Sequence, residues 1–399
     1  PYDDWGLWAI NVYANQRHLM FGISILLVVI MLLVPYFSDF LFNIKNYHKK
    51  NKLKFFFFDK DNWKIRDYKL LFLTSIIMIS FPYFHASVLI ALLLILFCMA
   101  MFSENRLTYV IIAFLAILSS FGQTLIFVKD AGTILNLRFV PGFVVESYSL
   151  IKIIKYLITL TGLTFILGWF YVINRKNNNY IFPLAISFMF PLVFAFLFQI
   201  SIDLLANHKF IQITIILFSI FVTGFVSDFY NKEIISTKRK ITGIIIVFLL
   251  TATGVSEWFV FININKDLAE FKVDSSASNW IKENTETTDT FLTPYWSMNS
   301  LYLSGRQIYY GWPYYAWSAG HDTDTRYEIY KYLLTGCDDN IDKFIRISKR
   351  EKIKYFVDTP EYYDFDTIDN NNFHRDYIIK HLKLVESFPN ENITIYQIY

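Results

Sequence analysis

Apolar residues run in long stretches from residue 20 to residue 262, and beyond that point the runs end. A helix climbs about 1.5 Å per residue and a bilayer's hydrocarbon core is about 30 Å thick, so roughly 20 apolar residues suffice to cross it. Runs near that length fall at 20–37, 69–83, 86–102, 107–125, 150–172, 180–200, 209–227 and 241–262, with short polar loops between them. The second and third belong to one stretch, Lys69 to Ser103, which is too long for a single helix. It carries Phe81-Pro82-Tyr83-Phe84-His85, where proline removes a backbone donor and breaks the helix. A tight hairpin is predicted there, and 150–172 is predicted to cross as one continuous helix.

After residue 262 the pattern turns mixed. Ser276 is placed to cap a short helix carrying Trp280 and Ile281, and Asp289 to Thr293 reads as a strand. Asp322 to Leu334 is a clear helix, with Tyr327, Tyr330, Leu333 and Leu334 on one face and Gly336 at its end. Another helix carries Ile341, Phe344 and Ile345. Strands follow at Ile353–Asp358, Leu384–Phe388 and Ile393–Ile398, with a helix around Phe373–Leu382 between the first two. The fold class is thus an α-helical polytopic membrane domain of about eight transmembrane helices over 1–262, followed by a small C-terminal α/β soluble domain over 263–399.

Composition agrees with lipid burial: 54% of the 399 residues are hydrophobic and 19% aromatic. The net charge of +3 is less informative than where the charges fall. If the loops alternate, one side holds the run from Lys45 through Lys69 together with Arg106, Arg175, Lys176, Lys232, Lys238, Arg239 and Lys240. The other side holds only Arg17, Lys129, Arg138, Lys152, Lys155 and Lys209 in its short loops. The positive-inside rule puts the rich side in the cytoplasm, so residues 1–19 and the C-terminal domain are expected outside. The chain opens at Pro1 with no charged n-region ahead of the first apolar run, so a more N-terminal part is expected to precede it.

The same topology gathers the unusual polar residues on the outer face. They are Asn15-Gln16-Arg17-His18 before the first span, His85 at the predicted hairpin tip, and Asp203 with Asn207-His208-Lys209 between the sixth and seventh spans. Ionisable groups at a bilayer edge are costly to bury, and Arg, His and Lys together suit a phosphate or pyrophosphate. Ordinary snorkelling to the interface explains any one of them equally well. In the C-terminal domain Arg306 follows a Ser-Gly turn, and Tyr310 and Trp312 belong to a run of aromatics suited either to stacking on sugar rings or to resting on lipid. Cys98 and Cys337 lack metal-ligand spacing; the sequence fixes no cofactor and leaves a divalent metal open. No Gly-x-Gly phosphate loop is present, and nothing points to a nucleic acid.

These pieces, in this order, resemble the polytopic C-superfamily (GT-C) glycosyltransferases, in particular membrane proteins of the protein mannosyltransferase and aminoarabinose transferase group. The resemblance rests on Asn15-Gln16-Arg17-His18, Pro82-Tyr83-Phe84-His85, Asn207-His208-Lys209-Phe210, and Trp280-Ile281, Gly305-Arg306 and Tyr310-Gly311-Trp312 in the tail. It implies a polyprenyl-phosphate-linked sugar as donor, membrane lipids as surroundings, and a lipid, glycan or protein acceptor at the outer face. It also implies a catalytic Asp or Glu in a first outer loop that would lie upstream of Pro1; Asp3 and Asp4 do not match that pair, so the catalytic residue stays unknown. Arg17, His18, His85, His208, Lys209 and Arg306 are the expected phosphate-binding set. A transporter or flippase of lipid-linked sugars is the rival reading, disfavoured by the lack of internal repeats and of a discontinuous helix.

Overall fold

The computed structural model describes residues 17–36, 56, 58–127, 137–145, 149–175, 180–200, 204–230, 237–264, 275–295, 300–318, 321–363 and 373–399. Asp3, Asp4, Asn15, Gln16, Asp203 and the basic run from Lys45 to Lys54 lie outside them, as does the side chain of Arg17. The chain divides into two compact units, Pro1–Lys266 and Asp267–Tyr399.

The first unit is built of helices: α1 (Arg17–Leu33), α2 (Tyr68–Ser80), α3 (Ala86–Met101), α4 (Arg106–Phe127), α5 (Leu150–Thr161), α6 (Thr164–Asn174), α7 (Ile181–Leu197), α8 (Leu204–Tyr230) and α9 (Thr237–Ile264). Among the described residues four helical stretches are long and apolar enough to cross a membrane: His18–Tyr36, Arg106–Phe127, Ala206–Tyr230 and Thr237–Val260. A fifth is added if the bent pair α5–α6 counts as one span. Tyr68–Tyr83, Ala86–Met101 and Ile181–Leu197 are apolar but shorter, at 16, 16 and 17 residues. Each spans about 24–26 Å at 1.5 Å per residue, less than the ~30 Å core. Hydropathy thus locates a helix at every expected position but overstates the length of some.

Two details correct the sequence reading. The 150–172 stretch bends by 96° between α5 and α6. The bend sits at Gly162, whose φ of +51° suits glycine. Leucine and isoleucine fill one side of α5 and Lys152 and Lys155 the other, and none of its residues is buried, as for a helix lying in the interface. The second correction concerns the predicted hairpin: the chain turns at Phe81–Tyr83 as expected, but the helices diverge, α2 packing mainly on α4 and α3 mainly on α7.

Elsewhere the ends are closed by side chains. Asp67 caps α2 by accepting from the backbone of Lys69 (2.8 Å) and Leu70 (3.0 Å). The Arg106 guanidinium donates to the carbonyls of Ala100 (3.0 Å), Met101 (3.1 Å) and Ser103 (3.2 Å), satisfying the orphan acceptors at the end of α3. Its neighbour Glu104, buried, pairs with Arg66. Helices α6 and α8 pack closely because Gly168 lies against Phe218; a Cβ there would sit 2.8 Å from the ring. A short antiparallel ribbon, β1 (Arg138–Phe139) with β2 (Phe198–Gln199), joins the loops before α5 and after α7.

The second unit is a small α/β fold. Its elements are α10 (Ser276–Asn284), β3 (Thr290–Leu292), β4 (Gln307–Ile308), α11 (Tyr314–Ser318), α12 (Asp324–Leu334), α13 (Ile341–Arg350), β5 (Ile353–Asp358), α14 (Arg375–His381), β6 (Lys383–Phe388) and β7 (Ile393–Gln397). The sheet order is β4-β3-β5-β7-β6; β3 runs parallel to β4 and β5, and β7 antiparallel to β5 and β6. Successive strand residues face opposite sides. Leu292 and Phe356 therefore pack with Tyr330, Leu333, Phe344 and Ile378 from α12 to α14, while Phe291, Tyr355 and Val357 pack with Ala277 and Ile281 of α10. The start of α10 is fastened by Glu391, whose carboxylate accepts from the Ser275 hydroxyl (2.5 Å) and the Ser276 amide (2.7 Å).

Between α12 and α13 the chain makes a turn of left-handed helix: Gly336, Cys337, Asp338 and Asp339 all have φ between +55° and +63°. Such a turn costs about 1–2 kcal/mol for each residue with a side chain, and side-chain bonds offset it. The Tyr332 hydroxyl reaches Asp338 (2.7 Å), His374 pairs with Asp339 (2.7 Å), and the Tyr377 hydroxyl donates to the Asp339 carbonyl (2.6 Å). Cys337 is fully buried in this turn, and burial pushes its thiol up to about 11. Because the thiolate is the reactive form, Cys337 is expected to resist iodoacetamide at pH 8 in the native protein and to react once it is unfolded. Rapid labelling of the native Cys98→Ala variant, monitored by mass spectrometry, would contradict this packing.

Candidate functional site

In the first unit, helices α1 and α8 both pack against α3, and all three begin at the same end. His18 lies in the first turn of α1, His85 is the N-cap of α3, and Lys209 lies near the start of α8. Residues far apart in sequence thereby meet. The His18 and His85 rings stack with centroids 4.9 Å apart and planes 28° apart, and Lys209 lies within electrostatic reach of the His85 ring.

His85 has an extended backbone (φ −160°, ψ 107°), and its Nδ1 accepts the Val88 amide at 3.3 Å, so its capping role follows from the chain leaving the Pro82 turn. With Nδ1 an acceptor, the proton of the neutral ring resides on Nε2. His85 is only 6% exposed, and its buried Nε2 has no hydrogen-bond partner among the described residues. Unpaired buried donors carry a cost of about 1–3 kcal/mol. A cationic neighbour, a helix N-terminus and a ring N–H together form a setting for an anionic oxygen.

Close approach depends on Gly22, one turn after His18 on α1: a Cβ there would lie 3.2 Å from the His85 Cβ. The i, i+4 spacing of His18 and Gly22, which puts both on one face of α1, is the sequence signal for this approach. Phe84, packed edge-on against Phe21 at 5.1 Å, borders the histidine pair. On α8, Asn207 fixes the loop leading to Lys209. Its amide donates to the carbonyls of Ala195 (2.9 Å) and Phe198 (2.6 Å), and its oxygen accepts from the Ile200 amide (3.3 Å). His208 is buried at 1% exposure, and Lys209 is half-buried.

The C-terminal candidates have different settings. The Arg306 guanidinium is engaged as the cap of α10, donating to the Thr285 carbonyl (2.7 Å), the Thr285 hydroxyl (3.0 Å) and the Lys282 carbonyl (2.9 Å). Tyr310 is buried in the α/β core against Tyr327 and Tyr330, at 5.5 and 5.4 Å between centroids. Trp312 is exposed and stacks on Tyr314 (6.4 Å). Of the aromatic run, Trp296 and the side chains of Tyr302 and Tyr315 lie outside the described residues. Among the described residues no group of three His, Cys, Asp or Glu side chains is placed to hold a metal ion.

No protein-family model matches the chain, and no curated protein matches it significantly.

Proposed function

We propose that this chain is part of a multi-pass membrane glycosyltransferase that uses a polyprenyl-phosphate-linked sugar and transfers the sugar at the outer face of the membrane. In this reading all eight expected segments enter or cross the bilayer, the shorter α3 and α7 being packed among their neighbours while α2 keeps an exposed apolar face, and the C-terminal α/β unit is extracytoplasmic. The observation that carries the reading is the meeting of His18, His85 and Lys209 at one end of the helical unit, with a buried ring N–H open to an acceptor. By the positive-inside rule that end is the outer one.

The chemistry assigned to this cluster is the leaving-group half of the reaction. A carboxylate takes the acceptor hydroxyl's proton as the oxygen attacks the anomeric carbon. The bond from that carbon to the donor phosphate breaks. Lys209 and the His85 N–H stabilise the charge left on the polyprenyl phosphate, with His18 and Arg17 assisting. Arg306 is left to the helix cap.

The rival reading, a flippase of lipid-linked sugars, is favoured by the 96° break between α5 and α6, since discontinuous helices form the sites of many transporters. The amphipathic face of α5 argues instead for an interfacial helix. The two differ in product. Full-length protein in proteoliposomes, given polyprenyl-phosphate-linked [14C]hexose, is expected to release free polyprenyl phosphate; a flippase would move the donor intact. The Lys209→Ala variant is expected to lose about 10²-fold in donor use without unfolding, and unchanged transfer would remove Lys209 from the site.

A further inference from the structure

At the opposite end of the helical unit, α6, α8 and α9 border an open cavity of about 220 Å³ lined by Phe170, Tyr171, Arg175, Asp228, Phe229 and Arg239, among others. Asp228 lies nineteen residues beyond Lys209 on the same helix, about 28 Å at 1.5 Å per residue, so the two sites lie roughly one hydrocarbon thickness apart. Arg175 donates from Nε (3.1 Å) and Nη2 (2.6 Å) to one Asp228 oxygen and lies over the Tyr171 ring. Arg239, in the first turn of α9, donates from Nε to the Phe229 carbonyl (2.9 Å) and sits 4.7 Å above the Phe229 ring.

We propose that this cavity holds the phosphodiester headgroup of an anionic phospholipid from the leaflet at that end, the cytoplasmic one by the positive-inside rule. Three features argue for it. Among the described residues the lining holds two arginines and one aspartate, a net charge of +1, which matches the single negative charge of a phosphodiester. Guanidinium groups match phosphate oxygens in geometry and are less strongly hydrated than ammonium. The volume is several times the ~30 Å³ of a water molecule and below the ~300 Å³ at which sites for whole ligands begin. It therefore accommodates a headgroup while the acyl chains stay in the bilayer, against the apolar walls of Phe170, Phe225 and Phe229. This inference is independent of the sugar-transfer reading and requires only that the helices reside in a membrane.

The test uses the full chain in a neutral detergent and follows adduct formation by native mass spectrometry as dioctanoyl phosphatidylglycerol, dioctanoyl phosphatidylcholine or inorganic phosphate is added. Phosphatidylglycerol is expected to bind at least 10-fold more tightly than phosphatidylcholine, and inorganic phosphate to leave no adduct. Arg239→Gln is expected to abolish that preference, whereas Arg239→Lys retains part of it. Asp228→Asn supplies a readout of opposite sign, because removing the carboxylate raises the lining to +2 and is expected to tighten phosphatidylglycerol binding several-fold. If the arginines only cap helices and pair with Asp228, that variant gains nothing and the proposal fails. Equal binding of the two lipids to the wild-type protein overturns it without recourse to any variant, and inorganic phosphate binding as well as phosphatidylglycerol overturns the lipid assignment.

Discussion

Arg375→Ala is expected to loosen the C-terminal unit more than any other single truncation of an ion pair in it. Asp358 ends β5 and is 7% exposed, and Arg375 opens α14. The guanidinium grips both carboxylate oxygens, from Nε at 2.7 Å and Nη2 at 2.6 Å, and the carboxylate in turn holds the guanidinium well above its ordinary range. Removing Arg375 strands a carboxylate that water barely reaches; a buried charge left without its partner costs about 3–5 kcal/mol. Arg375 is itself about one-third exposed, so the lower end, near 3 kcal/mol, is expected. Asp358→Ala should cost less, because the guanidinium it releases hydrates at the surface, and the double variant should recover part of the Arg375→Ala loss. Native-state hydrogen exchange on the intact protein reads this locally: amides of β5 and β7 should exchange about 10²-fold faster in Arg375→Ala, since 1.4 kcal/mol is a factor of ten. Unchanged exchange in those strands would show that the pair contributes nothing to the sheet.

The sequence makes that sheet legible where β-branched and aromatic residues alternate. Ile353–Asp358 forms at the expected bounds, and the last two strands and the helix before them lie within two residues of them. It does not reveal β4, because Gln307–Ile308 is two residues long and has no period to read. In the helical unit hydropathy marks each helix but carries no information on direction, so the 96° turn at Gly162 is invisible to it. Gly162 is followed by Leu163 and another apolar run, and a window averaged over both halves looks like one span. The grouping of His18, His85 and Lys209 was legible because charge bias assigns loops to faces, and a face is enough to bring three loop residues near one another. What each side chain does was not. Arg306 follows a turn and resembles a free cation in the sequence, yet the helix end that consumes its donors lies 21–25 residues upstream. Tyr310 and Trp312 flank the same Gly311, and only packing against α12 decides that one is core and the other surface.

His85→Asn separates the two roles that the ring combines, and its expected effect on activity is as large as that of Lys209→Ala. The ring caps α3 through Nδ1 and presents a buried N–H through Nε2. Asparagine ranks with the best N-caps and its side-chain oxygen can take over the Val88 amide, so helix stability should be retained. Its shorter amide does not place a donor where Nε2 stands, so the interaction offered to a phosphate oxygen is lost. Removal of one donor from a site of developing negative charge typically costs 10²–10³ in rate. The full-length Asn variant is therefore expected to keep its melting temperature and lose about 10²-fold in kcat/KM for the polyprenyl-phosphate-linked donor. His85→Ala should lose the same activity and about 1 kcal/mol of stability in addition, from the missing cap. A merely structural histidine predicts the reverse ordering: the Asn variant active, the Ala variant inactive only as far as it is unfolded. Melting temperature and transfer rate measured on both variants distinguish the two, and full transfer by the Asn variant would remove His85 from the donor site.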